Sequence, residues 1–538
     1  MKYLTVDDVF NVVGQFGWSQ KIYYFGLGLL QIFTAFHMLL NVYTGLDPTF
    51  KCYKDGDTKA EPLVNQCFNN RVQDCRLSYT SKFRSFPTEW NFICDQKYKV
   101  AFAQSIWMGG VMTGALVLGG TADIFGRLKT LMVSLLGTIA FEGFSSYAPT
   151  FAIMIGLRYV GGICCALVIL ASFVLSQELV GTNYRSSCGL MLAVFFAAGI
   201  AIFSGMAAIL PDWRTLSFIC AVSGILFLPL SCIVPESPRW LAIKGQQEEA
   251  KRVLEMIAKK NGKLDELPSH WEVTTSNSGE DSKVKKSQGI RELIYHPYVL
   301  MLTLIQVYSW FVNSAVYYGL TMAASNLGGN VYLSTTLSGL IEIPSCLIAV
   351  AIIDRLGRRL TLCGFMLVGG VACLVIQFIP PSFVVYTTTL ALCGKLSIAS
   401  SFAICYVHSA EIFPTEIRNS GMGIVSVAAR FGGIVSPFIL MLGDVVPNLQ
   451  FTALGAMTFI AGLLNLKLPE TMGQPMPESV ADILALRSTS RGGVDEDYKY
   501  KKLQMDDEEV DVTVFPRSRS PGGAHKSKSE DQVPLIEE

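Results

Sequence analysis

Apolar residues along this chain gather into a dozen or so long runs, each about twenty residues, divided by short polar turns. Runs of that length, at about 1.5 Å rise per residue, cross a hydrocarbon layer about 30 Å thick. They predict membrane-spanning helices near 22–46, 100–122, 131–147, 151–175, 187–210 and 216–234. A second set follows near 298–319, 332–353, 360–379, 383–407, 420–443 and 448–468. The expected fold is an all-α membrane protein, with twelve transmembrane helices in two pseudo-symmetric six-helix halves. Its expected parts are an N-terminal segment 1–21, a first half 22–234 containing a long loop at 47–99, a segment 235–297 between the halves, a second half 298–468 and a tail 469–538.

The polar turns repeat as the spans do. Asp123 to Lys129 (DIFGRLK) returns as Asp354 to Leu360 (DRLGRRL), each after the second span of its half. Glu178 and Arg185 find counterparts in Glu411 and Arg418, and Pro235-Glu236 in Pro469-Glu470, all displaced by roughly the same number of residues. One duplication explains all four matches.

Composition agrees, with 51% hydrophobic residues and 16% charged, too few for the surface of a soluble chain of this size. A formal net charge of zero and the lack of a basic domain or reader motif set nucleic acid aside as a partner. Basic residues mark the side. Arg127, Lys129, Arg185, Arg355, Arg358, Arg359 and Arg418 lie in the short turns after spans two, four, eight and ten, while 148–150, 325–330 and 380–382 carry none. The positive-inside rule therefore places both termini and the 235–297 segment in the cytoplasm. The first residues lack the pattern of a cleavable signal peptide, since Asp7, Asp8 and Lys21 surround a weakly apolar stretch.

The loop at 47–99 carries Cys52, Cys67, Cys75 and Cys94, an even number in a polar segment assigned outside. Two disulfides are expected, with three possible pairings; a zinc site is the alternative, and the spacing offers no CxxC pair for it. Between the halves, 245–260 puts Ala250, Val253, Leu254, Ile257 and Ala258 on one helical face, as an amphipathic helix under the bundle would. Residues 269–287 and 487–538 are polar and charge-rich and are expected to be disordered. Near the end, Asp531, Leu535 and Ile536 form an acidic dileucine-type sorting signal for an adaptor.

TADIFGRLK, IIDRLGRR, VPESPRWLAIKG, the four-cysteine loop, WFVNSAVYYGL and SAEIFPTEIRNSGMG together resemble the organic cation, organic anion and carnitine transporter family of the major facilitator superfamily, over about residues 5–470. One departure is Ile124, where the second repeat has Arg355, so the first turn is expected to be less tightly braced. Asp123, Gly126, Arg127, Glu178, Arg185, Asp354, Arg355, Gly357, Arg358, Glu411 and Arg418 form a candidate gate, its charges expected to pair across the seam between halves and hold an outward-open state.

Substrate contacts are sought among polar groups deep in spans, because a charge there is costly unless it is paired or faces a cavity. Arg430 is one such group. The resemblance places it where the anion and carnitine branches carry arginine and cation carriers an aspartate, and Asn313 where cation carriers usually have an acid. Glu342 is the buried opposite charge, so the two would suit a ligand bearing both carboxylate and ammonium; alternatively they pair with each other. Trp310, Tyr317 and Tyr318 offer aromatic faces to an amine. Lys395 is a further substrate-site candidate, where the carnitine branch looks similar; it is placed near the membrane surface, so its alternative role is snorkelling. His37 and His408 could titrate in a proton-coupled cycle.

No catalytic constellation, metal motif or cofactor signature is visible, and GxxxxGK[ST] is missing, so ATP is not the direct driving source. The expected function is a secondary active or facilitative transporter of small organic ions, zwitterions or organic anions, working by alternating access in the plasma membrane with endosomal cycling. Its partners would be the substrate, the bilayer, a tail-binding adaptor and either a coupling ion (sodium or proton) or a counter-substrate. The rivals are an organic cation carrier, a sugar porter, and a non-transporting receptor or scaffold.

Overall fold

The structure, a computed structural model, describes residues 2–54, 62–67, 71–274, 296–323, 330–380, 382–414, 417–474, 477 and 483. It begins with strand β1 (Lys2–Leu4) and helix α1 (Val6–Val13). Thr5 and Asp8 close a reciprocal capping box at the start of α1, satisfying donors that a helix terminus leaves open. The spans of the first half are α2 (Trp18–Thr44), α3 (Tyr98–Val117), α4 (Arg127–Ser145), α5 (Phe151–Glu178), α6 (Arg185–Ile209) and α7 (Trp213–Val222), the last continuing to Ile233. Two helices follow, the short α8 (Pro238–Ile243) and the amphipathic α9 (Gln247–Lys260). The second half holds α10 (Pro297–Ala323), α11 (Val331–Leu340) with α12 (Glu342–Leu356), α13 (Arg358–Ile376), α14 (Val384–Ile412), α15 (Arg418–Leu440) and α16 (Leu449–Asn465). Among the described residues, eleven helices have the length and apolarity to cross a membrane, and α16 is a shorter apolar twelfth.

Packing follows the duplication. In the first half α2 lies on α6 and α4 on α5; in the second, α10 lies on α15 and α13 on α14. The seam is built from α3 against α15 and α6 against α11, two pairs related by the same repeat. Each half encloses its own core, one around Trp310, Met366 and Leu454, the other around Leu27, Leu135 and Leu175.

Beneath the first half, Ala250, Leu254, Ile257 and Ala258 of α9 are buried as the helical period requires, with Val253 packed against the same core. Val6, Val9, Phe10 and Val13 of α1 enter that core too. The expectation of disorder across 269–287 is corrected at its start: Trp271–Val273 forms β5, which pairs in parallel with β1. Backbone hydrogen bonds and the burial of Trp271 offset the cost of ordering three residues in a polar stretch. Asp7 anchors α1 by hydrogen bonds to Arg239, at 2.9 and 2.5 Å, and to Arg185, at 3.1 Å. The Arg239 bond holds the Asp7 carboxyl below its ordinary range, against burial and with the charges of Arg239 and Arg185 helping.

At the opposite face the long loop forms an antiparallel sheet in the order β3 (Leu63–Val64), β2 (Phe50–Lys54), β4 (Cys75–Tyr79). Cys67 and Cys94 are joined by a disulfide, and Cys52 is also disulfide-bonded. The Cys75 side chain, the rest of 275–287, residues 487–538 and with them Asp531, Leu535 and Ile536 lie outside the described residues.

Two outcomes test this layer. Alkylation of the denatured, unreduced protein should leave Cys67 and Cys94 unmodified, and Cys67→Ser with Cys94→Ser should destabilise the loop by about 3 kcal/mol on chain-entropy grounds; both thiols reacting freely would contradict the bond. A depressed carboxyl pKa contributes stability that is present above the unfolded value and lost as pH falls through the folded one. Hydrogen-exchange protection of 2–13, corrected for intrinsic rates, should therefore fall below about pH 4, and at neutral pH in Asp7→Asn. Full protection in Asp7→Asn would refute the anchor.

Candidate functional site

The duplicated turns form two near-identical clusters. In the first, Arg127 at the start of α4 donates from Nε and Nη2 to Glu178 at 3.0 and 3.1 Å and pairs with Asp123 at 2.9 Å. Its backbone N–H and that of Leu128 donate to the Glu236 carboxylate at 3.0 and 3.1 Å. In the second, Arg358 at the start of α13 pairs with Glu411 and Asp354, each at 3.2 Å, while the N–H groups of Arg358 and Arg359 donate to Glu470 at 2.8 and 3.1 Å. Glu236 and Glu470 thus place carboxylates on helix N-termini, where unpaired N–H groups and the helix dipole favour negative charge. Burial works against the charge of Glu470, but the N–H groups of Arg358, Met472 and Arg359 outweigh it and hold the carboxyl below its ordinary range.

Gly126 and Gly357 turn the chain at positive φ, 109° and 85°. A Cβ at either would stand 2.6 Å from the capping carboxylate, so only glycine satisfies both the backbone and the cap. Sequence reading noticed the Pro-Glu repeats without giving them a role; the signal was their equal displacement from the turns.

The pairing expected across the seam is not made among the ion pairs described in this state. Arg127, Asp123 and Glu178 bond within the first half, and Arg358, Asp354 and Glu411 within the second. Arg185 turns to Asp7, and Arg418 Nε donates to the Phe413 carbonyl at 3.2 Å. Ile124 does not loosen the first turn: both clusters carry the same bonds, and Arg355, exposed, makes no ion pair among the described residues.

What does cross the seam lies toward the cysteine-loop face. Lys97 Nζ stands 2.7 Å from both Asp47 of the first half and Asp444 of the second. Ser204 donates to the Tyr332 carbonyl at 2.6 Å, Ser105 to the Ile434 carbonyl at 2.7 Å, and the rings of Tyr43 and Tyr332 stack 5.6 Å apart. The halves are therefore latched at the loop face.

Deep in the second half, Lys395 overturns its expected place at the membrane surface. It is 1% exposed, pairs with Glu342 Oε1 at 3.0 Å, bonds to Thr321 and sits 3.2 Å over the Tyr317 ring. Burial beside a carboxylate costs less than either charge alone, which explains why the lysine turns inward. Tyr317 also donates to Glu342 at 2.6 Å. The alternative pairing of Glu342 with Arg430 is thereby excluded in this state. Arg430, half-buried on α15, makes no hydrogen bond or ion pair among the described residues, and its Nε is buried without a partner. Its charge reaches the hydroxyls of Tyr318 and Tyr406.

Tyr318 stands edge-on to Tyr317 at 5.2 Å and donates toward Met38 across the seam at 3.5 Å. Trp310 is fully buried, donates to Ser409 at 2.8 Å and packs edge-on to Tyr406 at 4.2 Å, as a core residue would. Asn313 links α10 to α14 through Ser401, and His408 bonds the Pro469 carbonyl at 3.0 Å.

Two six-helix halves with paired charged turns and a seam of two symmetric helix pairs define a major facilitator transporter. A family model described as "Sugar (and other) transporter" matches residues 59–481. The chain is 35% identical to "Solute carrier family 22 member 15-like" of Xenopus laevis over 91% of this chain and 99% of that protein. It is 34% identical to "Organic cation transporter protein" of Drosophila melanogaster, over 88% and 94%, and 34% identical to "Solute carrier family 22 member 3" of Rattus norvegicus, over 76% and 74%. Among solved structures, the inward open xylose transporter XylE from E. coli superposes with a TM-score of 0.59 at 18% identity, over 87% of this chain and 98% of that one. The chain belongs to solute carrier family 22 within the sugar and other transporters: a multi-pass membrane transporter of the organic ion type, and not an enzyme.

The latch generates a prediction. Lys97→Ala removes the one cation that bridges carboxylates of both halves among the ion pairs described. A part-exposed pair of this kind stabilises by up to about 1 kcal/mol, so labelling of a cysteine placed at Ala101, in the cleft behind the latch, should quicken by about twofold to fivefold. An unchanged rate would show that the latch does not hold the halves.

Proposed function

We propose that the protein carries small carboxylate-bearing organic ions, anions or zwitterions, across the plasma membrane by alternating access, with both termini in the cytoplasm. One observation carries the substrate reading: Arg430 has no partner among the described residues, while Glu342 is already neutralised by Lys395. The three charges leave one positive charge over, at the residue whose charge reaches Tyr318 and Tyr406. A part-buried guanidinium without a counter-ion is costly in an apolar span, and a substrate carboxylate relieves that cost. An ammonium on the same ligand would find aromatic edges and hydroxyls rather than a bare carboxylate.

Under the cytoplasmic assignment the latched loop face is outside, which makes this state inward-facing. The clusters of Asp123, Gly126, Arg127, Glu178 and of Asp354, Gly357, Arg358, Glu411 keep each half rigid while the halves rock, with Arg185, Arg355 and Arg418 beside them exchanging partners as the basic face closes. The tail signal Asp531, Leu535 and Ile536 would supply endosomal cycling through an adaptor.

A second reading has support of its own. The Drosophila relative is named an organic cation transporter, and Glu342 would serve a cation if Lys395 moved away. Uptake separates the two. Arg430→Ala, at normal surface level, should cut uptake of carnitine and of dicarboxylates by about tenfold to a hundredfold, the worth of a charge-assisted hydrogen bond. Lys395→Ala, which strips Glu342 of its counter-ion, should admit tetraalkylammonium cations. Normal carboxylate uptake by Arg430→Ala would remove this residue from the substrate site, and tetraethylammonium uptake by the unmodified protein would favour the cation reading.

A further inference from the structure

A second set of buried charges, in the first half, takes no part in the substrate reading. Glu142 of α4 is fully buried, and its Oε1 accepts from Trp107 Nε1 of α3 at 2.8 Å. Its other oxygen, Oε2, lies 3.8 Å from Arg158 Nε of α5 and 4.0 Å from His37 Nδ1 of α2. Neither distance is a hydrogen bond. Oε2, both ring nitrogens of His37, and Nε and Nη2 of Arg158 are buried without hydrogen-bond partners. An ionised carboxylate beside a guanidinium ordinarily closes to a charge-assisted contact under 3 Å; here the packing of α4 on α5 leaves the two 3.8 Å apart, and Oε2 keeps an unused lone pair.

We propose that Glu142 Oε2 is a proton-binding site, with Arg158 and His37 as the groups that set its affinity, and that transport is coupled to this proton. Binding forms an O–H bond at Oε2 as an O–H bond of a hydronium ion on one side breaks, and release to water on the other side reverses both. With Glu142 protonated the cluster carries the Arg158 charge, and with Glu142 ionised it is neutral.

The other ionisable groups within electrostatic reach are Cys164 and Cys165 on α5 and Cys220 on α7, with the Cys220 backbone beside the His37 ring. None of these supplies a second carboxylate. A metal ion such as sodium is a poor occupant, because hard cations take a shell of several oxygens and this site offers one bare oxygen next to a positive guanidinium.

The site connects with the substrate region. Trp107, which holds Oε1, packs in one cluster with Met38, Met108 and Tyr318; Tyr318 bonds toward Met38 across the seam and feels the charge of Arg430. A change in the Glu142–Trp107 bond would be felt at the contact on which the halves meet. The coupling rests on the carboxylate reading above, whereas the proton site does not.

The test therefore begins without substrate. Infrared difference spectra of the purified full-length protein, taken between about pH 5 and 8, should show a protonated-carboxyl stretch that appears on acidification, is absent in Glu142→Gln and shifts in Glu142→Asp. A wild-type protein without such a band, or a Glu142→Asp band identical to wild type, overturns the site even if Glu142→Gln fails to fold. In liposomes at zero membrane potential, an inward gradient of one pH unit should sustain about tenfold accumulation of radiolabelled carnitine. Glu142→Gln should equilibrate it without accumulation and still exchange it. Gradient-driven accumulation surviving in Glu142→Gln overturns the coupling. If Arg430→Ala transports carnitine normally while the infrared band behaves as stated, the carboxylate reading fails and the proton site stands.

Discussion

The ion pair between Lys395 and Glu342 decides what charge the second half presents to a ligand. Without Lys395, a carboxylate and a guanidinium would share the region around Tyr317 and Tyr318 and could satisfy each other. With Lys395 turned inward, Glu342 is neutralised by a cation 3.0 Å away and by the Tyr317 hydroxyl, and Arg430 is left over. A protein interior does not carry an uncompensated charge without consequence: it binds a counter-charge, takes in water or loses stability. In a transporter the first of these is useful, because the compensation leaves with the substrate at each cycle.

The rest of the molecule keeps that charge on a movable boundary. Each half is closed on itself by a core of large apolar side chains and by a charged turn whose arginine, two acids and helix-capping glutamate are bonded internally. Among the described residues, few polar contacts cross the seam by comparison, and they gather at the loop face around Lys97, Tyr332 and Ser105. Rigid halves joined by a thin, polar and asymmetric seam satisfy the mechanical requirement for rocking.

Features carried by run length or repetition were legible in the sequence. An apolar stretch has one comfortable place in a bilayer whatever its neighbours, so the spans could be read from run length although their ends lie several residues off, as at 100–122 against Tyr98–Val117, and duplication exposed the paired turns. Partner choice was not legible. Lys395 looked like a surface lysine because nothing local reveals that Glu342, on another helix, waits opposite it. Asp7 was read only as a charge in the N-terminal segment, although Val6, Val9, Phe10 and Val13 carried a helical stripe that in hindsight called for a cover. The charged turns were expected to join the halves because opposite charges on both sides of a seam permit it; the actual bonds form where backbone geometry brings the partners close first. Glu142 and Arg158 went unremarked because each sits singly in an apolar run, and their proximity exists only once α4 and α5 pack.

The most direct test is a structure of the protein with a bound carboxylate ligand, such as carnitine. The account predicts carboxylate oxygens within hydrogen-bond distance of the Arg430 guanidinium while Lys395 remains paired with Glu342. A ligand whose ammonium lies on Glu342, with Lys395 displaced and Arg430 untouched, would contradict it.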